Sequence, residues 1–328
     1  MSVVPTMNDS GNISGANSSS SASTGATAHG APTVRLRRAI HFVPGGNEKM
    51  LTKALTLPAD ALILDLEDAV TPPRKAEVRE VVAGWLGNVS FGRQERMVRI
   101  NPLESPWGRA DLDAIMRHPP DCIVLPKVRA LADVDTIDRI LLQLEMERGL
   151  RPRTVRLLLV ATETAEGVLN ISQTARHPRV DAINWGAEDL SAALGARRNR
   201  DAHGQYLEVF RYCRSICLLS AVAAGVQPID SVFVDIRDEQ GLRAECENGA
   251  NMGFTGKITI HPSQIEIVNQ YYTPNAQEIA DARELIAAFA ENQEAGRGAF
   301  TFRGEMVDMP HLSRAKVLME RARQAGVA

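Results

Sequence analysis

Residues 155–167 read VRLLLVATETAEG, a run of apolar side chains that ends at one carboxylate, Glu163, four positions before a glycine. The branched residues from Leu157 to Val160 predict a strand buried on both faces, and the residues after Glu163 predict a turn into a helix. Packing gives such a strand no reason to end at an anion. We therefore expect Glu163 to have a chemical role.

Seven further apolar runs of similar length occur along the chain, at 39–45, 61–68, 96–101, 122–128, 181–190, 228–235 and 253–262. Helical patterns separate them; in one, Val134, Ile137, Leu141 and Leu144 recur at intervals of three or four. Eight strands alternating with helices predict a TIM (β/α)8 barrel over residues 35–275. An open doubly wound sheet is the alternative, but the first turn, VPGGNEKM (43–50), lacks the GxGxxG pattern.

The composition narrows the class of protein. A net charge of −3 and 5% aromatic residues give no reason to expect binding to nucleic acid. Since no apolar run reaches 18 residues, we expect no membrane span. The four cysteines show no CxxC spacing and favour reduced thiols in a cytoplasmic protein over a structural zinc site.

Residues 1–34 differ from the rest in composition. Ser, Gly, Ala, Thr and Asn dominate, and neither Lys nor Arg occurs before Arg35. Such a segment buries too little apolar surface to offset the entropy lost on ordering. We expect a disordered tail.

Polar residues follow the predicted strands at their carboxyl ends, where a barrel carries its active site. They include Asp65, Glu67 and Asp68 after the second strand, Arg99 in the third, Lys127 after the fourth, Glu163 after the fifth and Asp189 after the sixth. Asp230, by contrast, is expected near the start of its strand.

Among these residues, Glu163 and Asp189 give the clearest indication of a metal site. Two anions held close together repel unless a cation neutralises them, and one or two carboxylates suit Mg²⁺, with Mn²⁺ as a substitute. The alternative is that each carboxylate caps the helix that follows it.

The basic residues also have two interpretations each. Arg99 either pairs with one of the carboxylates at the strand ends or holds a substrate carboxylate with its guanidinium group. Lys49 and Lys53, beside a Gly-Gly turn and a helix N-terminus, are either solvated or hold phosphates.

Nine motifs in order carry a resemblance to a known family: FVPG (42–45), LDLEDAV (64–70), VRIN (98–101), LPKV (125–128), ETAEG (163–167), GAEDL (186–190), FVDIRDEQGL (233–242), GFTGKITIHPSQ (253–264) and GAFTFRGEMVDMPHL (298–312). The chain resembles the citrate lyase β-subunit-like proteins of the Mg²⁺-dependent Claisen and aldol lyase superfamily. Among these it looks most like malyl-CoA and citramalyl-CoA lyases.

The resemblance implies a TIM barrel in a homotrimer or homohexamer, with Mg²⁺ on Glu163 and Asp189 and a substrate carboxylate at Arg99. Glu67 and Asp68 would hold metal-bound waters. The residues that would lie near the acyl-CoA are Phe42, Lys49, Lys53, Ile229 and Asp230.

Asp308 matches a catalytic acid that relatives donate from a neighbouring subunit, here through a C-terminal helical extension, residues 276–328. Without the resemblance, Asp308 would be interpreted as a surface residue that starts the following helix.

The implied activity is the reversible Claisen cleavage of a 3-hydroxyacyl-CoA, such as malyl-CoA or citramalyl-CoA, to an acyl-CoA and a 2-oxo acid. The alternatives are a thioesterase on the same scaffold, a citrate lyase β-type subunit acting on an acyl-carrier-protein thioester, an aldolase acting on free 2-oxo acids, and a non-catalytic binding subunit. His41 and Trp185 depart from the family pattern, and we expect both to reshape the pocket.

Overall fold

The computed structural model describes residues 35–328, in which eight parallel strands close into a barrel in the order of the chain. The predicted fold is confirmed. The strands are β1 Ala39–Pro44, β2 Ala61–Asp65, β3 Glu95–Arg99, β4 Cys122–Leu125, β5 Arg156–Val160, β6 Val180–Asn184, β7 Gln227–Asp230 and β8 Gly256–Thr259. The predicted disordered tail, residues 1–34, lies outside the described residues.

The strands are apolar because both of their faces are covered. Alternate side chains such as Ile40, Ile63 and Leu158 fill the barrel interior, and their neighbours pack under the helices. The barrel closes where β1 pairs with β8, with Ile40 opposite Ile258.

Helices follow the strands and form the outer layer. They are α1 Glu48–Ala54, α2 Lys75–Asn88, α3 Gly108–Ile115, α4 Leu131–Glu147, α5 Ala165–Thr174, α6 Ala187–Ala193, α7 Glu208–Ala224, α8 Glu239–Met252 and α9 Ser263–Tyr271. Val134, Ile137, Leu141 and Leu144 form the buried stripe of α4, as their spacing predicts.

The C-terminal extension belongs to the same compact unit as the barrel. It contains α10 Ala276–Glu294, an antiparallel hairpin of β9 Phe300–Phe302 and β10 Glu305–Val307, and α11 Met309–Gln324. Phe289, Val307 and Leu312 form a small core of its own. Near the end of α11, Arg321 Nη2 donates to the Gly253 carbonyl at 3.1 Å, close to the amino end of β8.

All four cysteines lie in the described part of the chain as buried, unpaired thiols. Within residues 35–328, no helix has the length and apolarity needed to cross a membrane.

Candidate active site

The carboxyl ends of the strands surround a cleft of about 440 Å³. Five of the side chains predicted for the site line it: Phe42, Asp68, Arg99, Glu163 and Asp189. They come from five separate segments of the chain, which only the closed barrel brings together. We call this cleft the mouth.

Glu163 lies in the loop between β5 and α5, and its side chain is buried. Thr164, not Glu163, caps α5, because the Thr164 hydroxyl accepts the Gly167 amide at 3.0 Å. Asp189 lies in the first turn of α6 but makes no side-chain capping bond to it. The structure therefore shows that neither Glu163 nor Asp189 caps the helix that follows it.

The surroundings of Glu163 disfavour its charge. Burial, followed by the nearby charge of Asp189, raises the pKa of Glu163 to about 8. One donor opposes this effect: the Lys127 amide donates to Glu163 Oε2 at 2.6 Å. Space beside the carboxylate is kept open by Gly186, where a Cβ would stand 2.9 Å from Glu163 Cγ.

Arg99 is held by three carboxylates. Its Nε and Nη2 each donate to Asp65 at 2.7 Å, and Nη1 lies 3.0 Å from Glu67 and 3.1 Å from Asp68. Although burial alone would lower it, these partners raise the pKa of Arg99. The guanidinium also lies over the Phe42 ring, 4.7 Å from its centre. The expected ion pair between Arg99 and the carboxylates is present. It engages most of the guanidinium donors that a substrate carboxylate would need.

Asp65 holds Arg99 in place, a contact that the sequence did not reveal. Its carboxylate accepts the amides of Glu67 at 2.9 Å and Ala69 at 3.1 Å while it grips Arg99. Asp65 therefore fixes the orientation of the guanidinium. Its place at the end of β2 was the available signal, but the position alone does not identify its partner.

Lys127 is a second residue at the strand ends whose contacts the sequence did not reveal. It follows β4 with a φ of 54°, and its ammonium contacts Glu67 and lies 3.5 Å from Asp189. Although burial would lower it, the hydrogen bond to Glu67 and the neighbouring acids raise the pKa of Lys127.

A divalent cation fits this set of donors. The described residues include no group of three His, Cys, Asp or Glu side chains arranged to hold a metal ion, but Mg²⁺ usually takes only one or two carboxylates and completes its shell with water and substrate oxygens. A cation between Glu163 and Asp189 would offset the repulsion that raises the Glu163 pKa. Glu67 Oε2 is also buried without a hydrogen bond of good geometry, which suits an acceptor for a bound water.

A family model for HpcH/HpaI aldolase/citrate lyase matches residues 38–262, which span the whole barrel. The chain belongs to this family.

Individual relatives agree with that assignment. The chain is 37% identical over 285 residues to a (3S)-malyl-CoA thioesterase of Cereibacter sphaeroides, covering 87% of this chain and 94% of the relative. It is 39% identical over 292 residues to a mitochondrial citramalyl-CoA lyase of Rattus norvegicus, covering 85% and 84%. The family and this lyase identify the chain as an enzyme of the lyase class.

A solved structure also resembles this chain. It is the protein CitE of Mycobacterium tuberculosis in complex with magnesium, acetoacetate and coenzyme A, at a TM-score of 0.73 and 34% identity. The match covers 88% of this chain and 98% of that one.

The two lysines expected near the acyl-CoA in this family do not line the mouth. Lys49 and Lys53 are exposed on α1, whose Met50 lines the cleft, and Asn47 caps the helix by accepting the Met50 amide at 3.1 Å. Both ammonium groups face solvent.

Ile229 and Asp230 face opposite sides of the barrel wall. Ile229 belongs to the interior cluster, whereas the Asp230 carboxylate is fully buried under the helices, where Trp185 Nε1 and Arg214 Nη2 donate to it at 2.7 Å each. Lys257 and Arg214 lower the pKa of Asp230 although burial would raise it. The expectation that Asp230 lies near the start of its strand is wrong, because β7 ends at this residue. Its carboxylate has no access to the mouth.

His41 and Trp185 also face away from the mouth. His41 Nδ1 lies 3.0 Å from the Thr259 hydroxyl, and burial lowers the His41 pKa to about 4. Trp185 is fully buried in the layer between barrel and helices. The expectation that these two residues reshape the pocket is wrong, since neither lines it.

Asp308 immediately precedes α11 as its N-cap residue, and its half-exposed carboxylate lies 2.6 Å from His311 Nδ1. This matches the interpretation of Asp308 as a surface residue that starts the following helix. Asp308 does not line the mouth of its own chain.

A larger cleft, about 660 Å³, lies between α7, α8 and the loop before α7. Its arginines are engaged within the chain: Arg200 donates to Glu245 at 2.7 Å, and Arg214 to Asp230. The perturbed carboxylates of the family motifs are in the mouth, so the chemistry favours the smaller cleft.

Proposed function

We propose that this chain is a Mg²⁺-dependent carbon–carbon lyase that cleaves, or forms, a 3-hydroxyacyl-CoA such as malyl-CoA or citramalyl-CoA. The products are an acyl-CoA and a 2-oxo acid. The observation that carries the proposal is the meeting of Glu163, Asp189 and Arg99 in one cleft at the carboxyl ends of the strands. The citramalyl-CoA lyase relative and the CitE complex with magnesium and coenzyme A support it.

Glu163 and Asp189 would hold the cation, and Glu67 and Asp68 the waters around it. Mg²⁺ supplies, when bound, a Lewis acid that polarises a substrate oxygen; Mn²⁺ is the other ion that such a set accepts. The raised pKa of Glu163 makes this carboxylate the one most dependent on the cation for its charge.

Arg99 would bind the terminal carboxylate of the substrate and stabilise negative charge as the carbon–carbon bond breaks. Asp65 positions it through two hydrogen bonds of 2.7 Å. Because Glu67 and Asp68 already face Nη1, a substrate carboxylate would have to share this guanidinium with them.

Bond cleavage leaves an electron pair on the α carbon of the departing acyl-CoA, as an enolate. Asp308 would deliver the proton that this carbon needs, and would remove it in the direction of synthesis. Asp308 does not line its own mouth. We therefore propose that a neighbouring subunit supplies Asp308, within a homotrimer or homohexamer.

The CoA moiety would lie along the side of the mouth formed by β1, α1 and β7. Phe42 offers an aromatic face, and the exposed ammonium groups of Lys49 and Lys53 suit phosphates. Ile229 borders the barrel interior there, and any contact of Asp230 with CoA would be through its backbone, since its carboxylate is buried.

A thioesterase is the second candidate, because the malyl-CoA thioesterase relative is nearly as similar as the lyase. In that reaction water attacks the thioester and free CoA leaves.

Product analysis on a substrate panel tests the proposal. Purified protein with Mg²⁺ is incubated with malyl-CoA, citramalyl-CoA, free citramalate and an acyl-carrier-protein thioester. We expect a 2-oxo acid from a CoA ester only. Cleavage of the carrier-protein ester alone would favour a citrate lyase β-type subunit, and cleavage of the free acid would favour an aldolase that does not use CoA.

A further inference from the structure

Lys127 has an unusual backbone for a residue with a long side chain. It follows β4 and Pro126 with a φ of 54°, in the left-handed region. This conformation costs a non-glycine residue about 1 kcal/mol or more, and glycine adopts it freely. The contacts of the Lys127 side chain have to offset this cost.

The contacts of Lys127 reach both of the carboxylates assigned to the cation. Its amide donates to Glu163 Oε2 at 2.6 Å, and its ammonium lies 3.5 Å from Asp189 Oδ1. The same ammonium contacts Glu67 and lies 3.9 Å from Asp68. One residue thus touches four of the acids of the mouth.

Arg99, the cation that lines the mouth itself, is directed elsewhere. Two of its nitrogens are bound to Asp65, and the third faces Glu67 and Asp68. Among the described residues, the cation that pairs with Asp189 is Lys127.

We propose that Lys127 is an internal counter-cation of the metal site: it neutralises Asp189 while the metal is absent and gives Asp189 up to the incoming divalent ion. Its link to Glu67 would keep the ammonium in the mouth after the exchange. Lys127 is therefore a positioning residue that limits how tightly the cation binds. The inference rests on the proposed function in one respect, namely that Glu163 and Asp189 hold the cation.

The direction of its effect follows from charge. A cation beside the site repels the divalent ion and competes for one of its ligands, so removal of the ammonium should tighten metal binding. At a separation of about 6 Å in a water-like medium, a single charge changes the affinity for a divalent ion by roughly tenfold. A purely structural lysine would have the opposite effect, because its loss would disorder the ligands and weaken binding.

The test is a titration with Mn²⁺ alone, in which electron paramagnetic resonance measures the free ion at a fixed pH. Lys127→Met should bind Mn²⁺ three- to thirtyfold more tightly than the wild type. Lys127→Gly should match it, because glycine accepts the backbone and keeps the amide donor to Glu163. Lys127→Arg keeps the charge and should bind as the wild type does.

The matched control is Arg139→Met, which removes the same charge from an exposed position on α4. It should leave Mn²⁺ affinity unchanged. Melting curves give a second readout. Lys127→Met should melt below the wild type in chelator, because its acids repel, and should recover in saturating Mn²⁺.

The outcomes separate the inference from the proposed function. If the wild type binds Mn²⁺ and Lys127→Met binds it equally or more weakly, the counter-cation role is wrong while the metal site stands. Tighter binding in Lys127→Gly without it in Lys127→Met would assign the effect to backbone strain and also overturn the role. If the wild type binds no Mn²⁺, the metal site itself fails, and the inference fails with it.

Discussion

Glu163→Gln should change how the stability of the metal-free protein depends on pH. Glu163 is buried, and burial together with the charge of Asp189 raises its pKa from 4.5 to about 8. Between these two values the folded state binds a proton that the unfolded state has lost. The free energy of unfolding therefore falls as pH rises through this window, by up to about 1.4 kcal/mol per pH unit. Glutamine carries no titrating proton and removes this slope.

The magnitude follows from the pKa. Across the whole window the slope amounts to roughly 3–5 kcal/mol, so Glu163→Gln should equal the wild type near pH 4.5 and exceed its stability by that amount near pH 9. The amide oxygen of glutamine can still accept the Lys127 amide, so the gain is not offset by a lost hydrogen bond. Saturating Mg²⁺ should flatten the wild-type curve, because the cation stabilises the charged carboxylate.

The assay is urea unfolding in chelator from pH 4.5 to 9, at one protein concentration because an oligomer's stability depends on it. The control is Glu166→Gln, the same chemical change at an exposed position three residues away. The reasoning is refuted if Glu163→Gln keeps the wild-type slope, or if Glu166→Gln removes it as well.

Three further predictions concern the mouth, the subunit contact and the tail. Arg99→Lys should lose about 2–4 kcal/mol of transition-state stabilisation, measured as kcat/KM, because lysine cannot make two parallel hydrogen bonds to a carboxylate. It should also lower the free energy of unfolding, because Asp65 loses a buried partner. A near-normal kcat/KM would remove Arg99 from the mechanism. Mixing the Asp308→Ala and Glu163→Ala variants under conditions of subunit exchange should restore activity, because some mouths then combine an intact metal site with an intact acid. If subunits are shown to exchange and activity does not recover, the shared site is contradicted. A chain that begins at Arg35 should keep its solubility and activity, and aggregation of that shortened chain would show that residues 1–34 contribute to the fold.

The barrel and the mouth could be predicted because both depend on local patterns. A strand covered on two faces has to be a short apolar run, and the eight runs of the sequence correspond to the eight strands. Once the barrel is assumed, its geometry sends Arg99, Glu163 and Asp189 to one cleft, because each follows or ends a strand.

The orientation of Asp230 could not be predicted from its run. The segment PIDSVFVD looks like one continuous strand, but β7 ends at Asp230 and the residues after it form a loop. Which face each side chain takes depends on where the strand begins, because a shift of one residue reverses every side chain. The sequence carries no mark of that register, and the same ambiguity hid the outward direction of His41 in β1.

Partners distant along the chain were also beyond prediction. The contacts of Arg99 with Asp65 span 34 residues and those of Lys127 with Glu67 span 60. Charged residues at strand ends could be recognised as candidates, but the pairing among these acids and cations depends on the closed barrel. The left-handed backbone of Lys127 has no signal in LPKV either, since left-handed turns usually contain glycine or asparagine.

The central claim is that the mouth breaks a carbon–carbon bond in a metal-dependent reaction. The most direct measurement follows 2-oxo acid and free thiol together, from citramalyl-CoA and malyl-CoA, in the wild type and in Glu163→Gln. The account predicts 2-oxo acid and acyl-CoA in equal amounts from at least one of the two esters, no free thiol, and loss of both products on chelation or in Glu163→Gln. Free thiol released in step with the hydroxy acid, or 2-oxo acid formed undiminished without the metal or without Glu163, would contradict it.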